Sequence, residues 1–525
     1  IPEECLSYKE RYETAIRKSV KFAQLMKDEL VNILSMLDSL SSSSALRRTA
    51  DAFCKEISPF LLHMGMFVPT IYGQGTSEQL STWLPRALNL QIFGTYAQTE
   101  LGHGTFIRGL ETTATYDPAT EEFVLHSPTL TAYKWWGGGL GKTVNYCIVV
   151  AQLYTQGKCH GPHTFIVQIR DEETHMPLPG LKVGEIGPRF GYNTADNGFL
   201  GFDHYRIPRD HMLMKNSQVL KDGTYVKVAR HEKLTYGTMV FVRVTLVKES
   251  AFNLAKAATI AVRYSAVRRQ FTYTKNSSAP EVQILDYPTQ QHKLFIGVAT
   301  AYALSLTAAW LWKSFTGLLA DMRHGNTDNL PELHALSSCL KALSTSDSAT
   351  NIETCRQACG GHGYMASSNL PQIYTFVIAT RTYEGDYTVL LLQTASKTYW
   401  NEIVRLTTEC SPNTRVVMQQ LASLYLVYWS LERSGDLLRY SSISEEDLIY
   451  LQHKYEELLN LIRPNAVGLV DAFDIRDEIL QSTLGAYDGQ VYERMMAETL
   501  KTPLNAEPVN ISFHKYIKPL RKANL

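Results

Sequence analysis

Two short segments of this 525-residue chain crowd hydroxyls, flexible glycines and a carboxylate together. One is Thr95-Tyr-Ala-Gln-Thr-Glu-Leu-Gly-His-Gly-Thr105. The other is Thr380-Arg-Thr-Tyr-Glu-Gly-Asp-Tyr-Thr388, which leads into an apolar helix. Glycine lets a backbone approach a ligand closely, and loop hydroxyls and carboxylates supply hydrogen bonds, so both segments suit a large polar cofactor. Glu384 reads two ways from the residues alone. It is a general base, or a first-turn carboxylate that favours a helix dipole. Composition does not choose between them.

Other motifs fail on their own terms. Trp136-Gly-Gly-Gly-Leu-Gly-Lys-Thr143 comes close to a phosphate-binding loop, but Trp136 stands where glycine is required. A β-type run, Val144 to Leu153, follows where a helix should begin. Gly360-Gly-His-Gly363 follows a helix rather than a strand, so it is no dinucleotide fingerprint and reads as a helix C-terminus. Cys159-His160-x-x-His163 has zinc-binding residue types, but it reads as a turn between two strands with no second ligand pair nearby, so no metal is expected. No serine-hydrolase elbow is present.

The elements that must hold these segments change character twice. Tyr8 to about Asn89 is helical in pattern, with apolar residues at helical spacing from Arg11 to Leu40 and a break at Ser41 to Ser44. From near Phe93 to Leu213, β-branched and aromatic runs alternate with turn signals, as in Glu122–His126, Tyr146–Ala151 and Thr164–Ile169. Helical periodicity then returns over about 244–269, 289–319 and 331–359, again from near Asp386, and over 415–431, 444–462 and 491–500. At ~150 residues per domain the length allows three or four domains. The expected division is 1–93 helical, 94–215 a β-barrel-like domain, 216–406 a helical bundle, and 407–525 a second helical bundle. This α+β multidomain order excludes a doubly wound nucleotide fold.

Lys+Arg and Asp+Glu are both 51, which gives no long-range field for nucleic acid. At 45 % hydrophobic and 19 % charged, the chain is not broadly disordered. The eight cysteines are scattered and are read as reduced, mostly core-filling thiols. The first residues, Ile-Pro-Glu-Glu, lack the pattern of a signal peptide. The uncharged stretch Leu294 to Trp312 is rich in Ala and holds Thr300, Ser305 and Thr307. It is expected inside a bundle, and no membrane span is expected.

Ordered motifs along the chain resemble the peroxisomal acyl-CoA oxidases, the oxidase branch of the acyl-CoA dehydrogenase superfamily. They are the 95–105 segment, Arg108–Tyr116, Lys134–Thr143, Lys233–Met239, Arg263–Arg268, Ala358–Tyr364, Glu384-Gly385 and Val470–Asp474. The chain departs from the family pattern in lacking part of its N-terminal region and a helical stretch between about 405 and 415. In addition, Pro288 stands where relatives carry Gln.

The resemblance implies FAD-dependent desaturation of acyl-CoA to trans-2-enoyl-CoA, with O2 reduced to hydrogen peroxide. It assigns Glu384 as the base that takes the Cα proton. It assigns FAD contacts to Thr99, Gly104, Thr105, Gly138, Gln290 and Gln291. Arg268 matches an arginine reaching the pyrophosphate of a neighbouring subunit's FAD, where Gly360, Gly361 and Gly363 allow close approach. Thr235, Tyr236, Arg243 and Gly385 are the implied substrate contacts. Gly138 replaces a hydroxyl residue of the mitochondrial dehydrogenases and leaves room for O2 beside the flavin. A homodimer is expected, with a heterodimer of related subunits as the other arrangement. Two other functions stand beside this one: a dehydrogenase with a protein electron acceptor, and a noncatalytic dimer subunit. The ending Lys522-Ala-Asn-Leu525 resembles a variant peroxisomal signal, implying an import receptor as partner and the peroxisome as location.

Overall fold

The computed structural model describes residues 2–25, 57–228, 237–272, 279–323, 326–392, 412–432, 434–440 and 443–501. Within the described residues, helix α1, Tyr8–Leu25, is followed by a short helix, Val68–Gln74, and then by α2, Ser77–Leu88. Thr76 and Gln79 cap α2 reciprocally: the Gln79 N–H donates to Thr76 Oγ1 at 3.3 Å, and the Thr76 N–H donates to Gln79 Oε1 at 3.0 Å.

The β region holds β1 Gly94–Ala97, β2 Thr113–Asp117, β3 Glu122–His126, β4 Lys134–Gly138, β5 Tyr146–Thr155 and β6 Lys158–Gln168. It continues with β7 Leu181–Glu185, β8 Asn197–Phe202, β9 Tyr205–Pro208, β10 Ser217–Val219 and β11 Tyr225–Lys227. β5 is an almost unbroken apolar run because it is buried on both faces. It pairs in parallel with β1 and β2 and antiparallel with β6. A second sheet runs β4-β8-β7, and the apolar faces of both sheets share one core. β1 passes so close to the helical turn His63–Phe67 that a Cβ on Gly94 would lie 2.2 Å from the Phe67 ring.

Strand pairing runs on to Lys227 through β10 and β11, past the expected limit at 215. Three-residue strands carry too little alternation to be read. The 159–163 motif lies within β6 rather than between strands: its Gly and Pro are absorbed at the strand's bulged, less buried end. His163 is engaged by Gly161 O and the Tyr225 hydroxyl. In the 136–143 loop, Asp196 accepts from the Lys142 and Thr143 N–H groups at 2.5 and 2.9 Å, so a carboxylate of the chain fills the place a phosphate would take.

The long helices are α3 Gly237–Val267, α4 Pro288–Arg323 and α5 Leu330–Ala358, packed side by side on small residues such as Ala257, Ala258, Ala299 and Ala301. Pro288 opens α4, where a missing N–H costs nothing. Next come α6 Leu370–Thr380, α7 Tyr387–Leu392, α8 Pro412–Glu432, α9 Glu445–Ile462 and α10 Val491–Thr499. Leu421, Leu424, Leu458 and Ile462 join the core of α3 and α4, so both helical blocks share one interior. Arg263 on α3 ties in the 470–474 motif through Asp471 at 2.7 Å.

α4 is the one helix, among the described residues, long and apolar enough to cross a membrane, and 72 % of its apolar window is buried inside the protein. All six described cysteines are free. Cys147, Cys355 and Cys359 are buried, whereas Cys5 and Cys159 are exposed rather than core-filling.

Candidate active site

Glu384 stands in the turn between α6 and α7. Its φ is +58° and that of Gly385 is +112°, so two successive residues take left-handed geometry. Glycine adopts that region freely, whereas glutamate must be held there. The holding groups are cations. Lys341 of α5 donates to Tyr383 O at 2.8 Å and to Gly385 O at 2.5 Å. Arg243 of α3 donates from Nε to Glu384 O at 3.3 Å and from Nη1 to Ser338 Oγ at 2.8 Å. Outside, the Tyr383 hydroxyl meets that of Tyr192 at 2.6 Å.

No described residue hydrogen-bonds the Glu384 carboxylate. Burial pushes it above the usual carboxylate range, against the Arg243 and Lys341 charges, which pull it down. Burial likewise pushes Lys341 down to about 8, while the Glu384 charge pulls it back up. Across from this turn, the Tyr96 hydroxyl of β1 is raised, by burial first and then by Glu384.

Glu384 opens onto a cavity of about 2330 Å³, larger than the ~300–1,000 Å³ typical of a single small-ligand site. Seven of the sequence-derived site residues line it: Thr99, Gly104, Thr105, Gly138, Arg243, Glu384 and Gly385. Trp136 also lines it, at φ +76° on a bulge of β4 and 54 % exposed.

The residues fit FAD. A Cβ on Gly104 would meet nothing within 4 Å. Trp135, Trp136 and Phe106 offer aromatic surface. Asn369 Oδ1 and Gln372 Oε1 are buried on the cavity wall without a hydrogen-bond partner among the described residues.

Five other site residues gather elsewhere, where α3 and α5 end and α4 begins. Gln290 donates to Ser265 Oγ at 3.0 Å and to Ala358 O at 2.9 Å. Arg268 reaches the Tyr492 hydroxyl at 3.3 Å. Gly361 is exposed, with nothing within 4 Å of a built Cβ, whereas Gly363 packs onto the Arg356 carbonyl. Gln291 is turned inward, donating to Leu285 O at 3.2 Å, which takes it away from any open surface. None of these five lines the cavity. Thr235 and Tyr236 lie outside the described residues, as do 405–411 and the last 24 residues.

Comparisons with known proteins are uniform. The model "Acyl-coenzyme A oxidase N-terminal" matches 1–93, "Acyl-CoA oxidase, C-alpha1 domain" matches 236–398, and "Acyl-CoA oxidase" matches 388–522. The chain is 42 % identical to acyl-coenzyme A oxidase 1 of Drosophila melanogaster, covering 100 % of this chain and 92 % of that one. The chain belongs to the acyl-CoA oxidase family.

Other acyl-CoA oxidases agree. Peroxisomal acyl-coenzyme A oxidase 1 of Bos taurus is 42 % identical, over 98 % of this chain and 92 % of that one. Acyl-CoA oxidase 1 of Arabidopsis thaliana superposes with a TM-score of 0.91 at 36 % identity, over 99 % and 92 % of the two chains. Acyl-CoA oxidase-2 of Caenorhabditis elegans, solved with FAD, ascaroside-CoA and ATP, gives 0.92 at 36 %, over 99 % and 90 %. The Drosophila alignment spans 619 positions, more than this chain has residues, so that acyl-CoA oxidase carries stretches with no counterpart here. The α+β multidomain expectation holds.

Sequence reasoning missed Lys341, Tyr96 and the part played by Lys134. For Lys341 a signal exists: Ser337, Ser338, Lys341, Ser344, Thr345 and Ser348 form a helical-period polar stripe, and all are buried.

Proposed function

We propose that this chain desaturates a fatty acyl-CoA between Cα and Cβ, with Glu384 as the base and O2 as the final electron acceptor. The observation that carries this reading is the Glu384 carboxylate, raised by burial, left unbonded and open to a cavity that fits FAD. An α-proton is weakly acidic until the thioester carbonyl is polarised, so base and carbonyl donors must be aligned together. Glu384, in its left-handed turn, serves twice in this reading: its backbone N–H as a carbonyl donor and its carboxylate to take the Cα proton. FAD supplies, when bound, a hydride acceptor for the Cβ hydrogen, which O2 restores with release of hydrogen peroxide.

Thr99, Gly104, Thr105 and Gly138 hold this FAD, and Arg243 and Gly385 face the acyl-CoA. Arg268, Gln290, Gly361 and Gly363, gathered away from the cavity, hold the nucleotide end of a neighbouring subunit's FAD, which makes the enzyme a dimer. The parts 1–93, 94–215, 216–406 and 407–525 serve this chemistry; the match over 1–93 supports the first, and the last β-hairpin carries the second to 227. The activity is the first step of peroxisomal fatty-acid β-oxidation and its site is the peroxisome, reached through a receptor reading Lys522–Leu525.

Peroxide and enoyl-CoA formed per acyl-CoA consumed under air test the reading. One of each is expected. Consumption without peroxide by flavin-loaded protein supports the dehydrogenase alternative. Bound flavin that acyl-CoA never bleaches supports a noncatalytic subunit.

A further inference from the structure

A lysine inside a helix bundle loses its hydration, and that loss must be offset by partners of good geometry. Lys341 has no solvent exposure, and it sits on the polar stripe of α5 among serines and a threonine that bond within the helix. The partner expected of such an ammonium is a carboxylate. Here the carboxylate whose charge acts on it most, Glu384, is not hydrogen-bonded to it. The ammonium is spent instead on two backbone carbonyls, Tyr383 O and Gly385 O, the residues immediately before and after Glu384. Arg243 takes the carbonyl between them. Three consecutive carbonyls therefore point at cations on α3 and α5, through the two residues at +58° and +112°. A glutamate remains left-handed only where its surroundings over-determine it, and this clamp does so.

We propose that Lys341 is a positioning residue for the reaction, clamping the carbonyls on both sides of Glu384 so that the carboxylate faces the cavity without being neutralised by a bonded cation. The proposal rests on the reading of Glu384 as the base. The charged and titratable groups facing that carboxylate are Tyr96 from β1, Arg243 from α3 and Lys341 from α5, with Asp386 on its own turn coupled to Lys341. Arg243 and Lys341 are the two that favour its ionised form. Removing the Lys341 charge therefore makes Glu384 harder to ionise, and the acid limb of a pH–rate profile must move to higher pH.

The test uses flavin-loaded Lys341→Gln and Lys341→Met, with Glu384→Gln in parallel. Glutamine keeps an N–H donor for the carbonyls and loses the charge, whereas methionine loses both. In both, the acid limb of flavin reduction by acyl-CoA shifts upward. Turnover falls about 10-fold in the Gln variant and about 100-fold in the Met variant, the range that slight misplacement of a reacting group costs. The loss falls mainly on kcat and less on KM for acyl-CoA, because the clamp reaches the substrate only through the 384–385 turn. Profiles and turnover that superimpose on the wild type overturn the proposal if Glu384→Gln is inactive. If Glu384→Gln stays active, the base reading itself fails. Failure of Lys341→Gln to fold or take up flavin also contradicts the proposal, because the lysine would then be holding the bundle and not the turn.

Discussion

Glu100 and Glu384 stand in the two glycine-bearing segments, each within reach of a lysine that has no solvent exposure. In the first segment, Lys134 bonds the carboxylate itself at 2.9 Å. Glu100 also accepts from the Glu111 and Thr112 N–H groups at 2.8 and 2.9 Å and from the Thr112 hydroxyl at 2.6 Å. Burial alone would raise it, but Lys134 and these donors outweigh burial and hold it below the usual range. Its ionised form is favoured, and through Lys134 it fastens β4 to the loop. In the second segment the lysine goes to the flanking carbonyls, the carboxylate keeps no bonded partner among the described residues, and it is raised. The same residue types make a rivet in one loop and the proposed base in the other. What differs is where the ammonium is aimed.

That contrast can be broken by substitution. Lys134→Met strands a buried carboxylate, and losing one partner of a buried pair costs about 3–5 kcal/mol. The melting temperature of the holoenzyme should fall steeply. Glu384→Gln, which removes a carboxylate no described donor satisfies, should leave it unchanged or higher. Equal losses in the two variants would erase the distinction.

His63 sharpens the comparison on the β side of the cavity. Its Nδ1 accepts from the Gly94 N–H at 3.0 Å, so Nε2 carries the hydrogen donated to Ala87 O, also at 3.0 Å. Burial pushes it down to about 4, against the Ala87 bond, which raises it. A depressed folded value means the unfolded chain binds the proton first. Stability held above pH ~6.5 is therefore lost progressively as pH falls towards 4, by about 3 kcal/mol in full. Urea midpoints of wild type and His63→Gln across that range should diverge towards neutral pH, with the wild type steeper. Parallel curves would place His63 outside this role.

Much of this was legible in the residues. The β runs 122–126, 146–151 and 164–169 and the long helices were marked by period. Both functional segments were marked by their glycines and hydroxyls. Leu370–Thr380 was not read as a helix, because Ile373-Tyr-Thr-Phe-Val-Ile378 has the composition of a strand; Pro371 and tertiary packing decide it. The division of labour between Glu100 and Glu384 could not be read. Lys134 lies in a tryptophan-glycine strand and Lys341 between Leu340 and Ala342, and neither pattern says which carbonyl or carboxylate the ammonium meets. Only the fold brings residues 341 and 384 together.

The central claim is that Glu384 is the base because its carboxylate is left unbonded at the cavity. Anaerobic mixing of flavin-loaded Glu384→Gln with acyl-CoA tests it most directly, with flavin content and acyl-CoA binding measured on the same sample. Both should match the wild type while bleaching of the flavin absorbance slows by about two to four orders of magnitude, the usual worth of a general base. Bleaching within a few-fold of the wild-type rate would contradict the account.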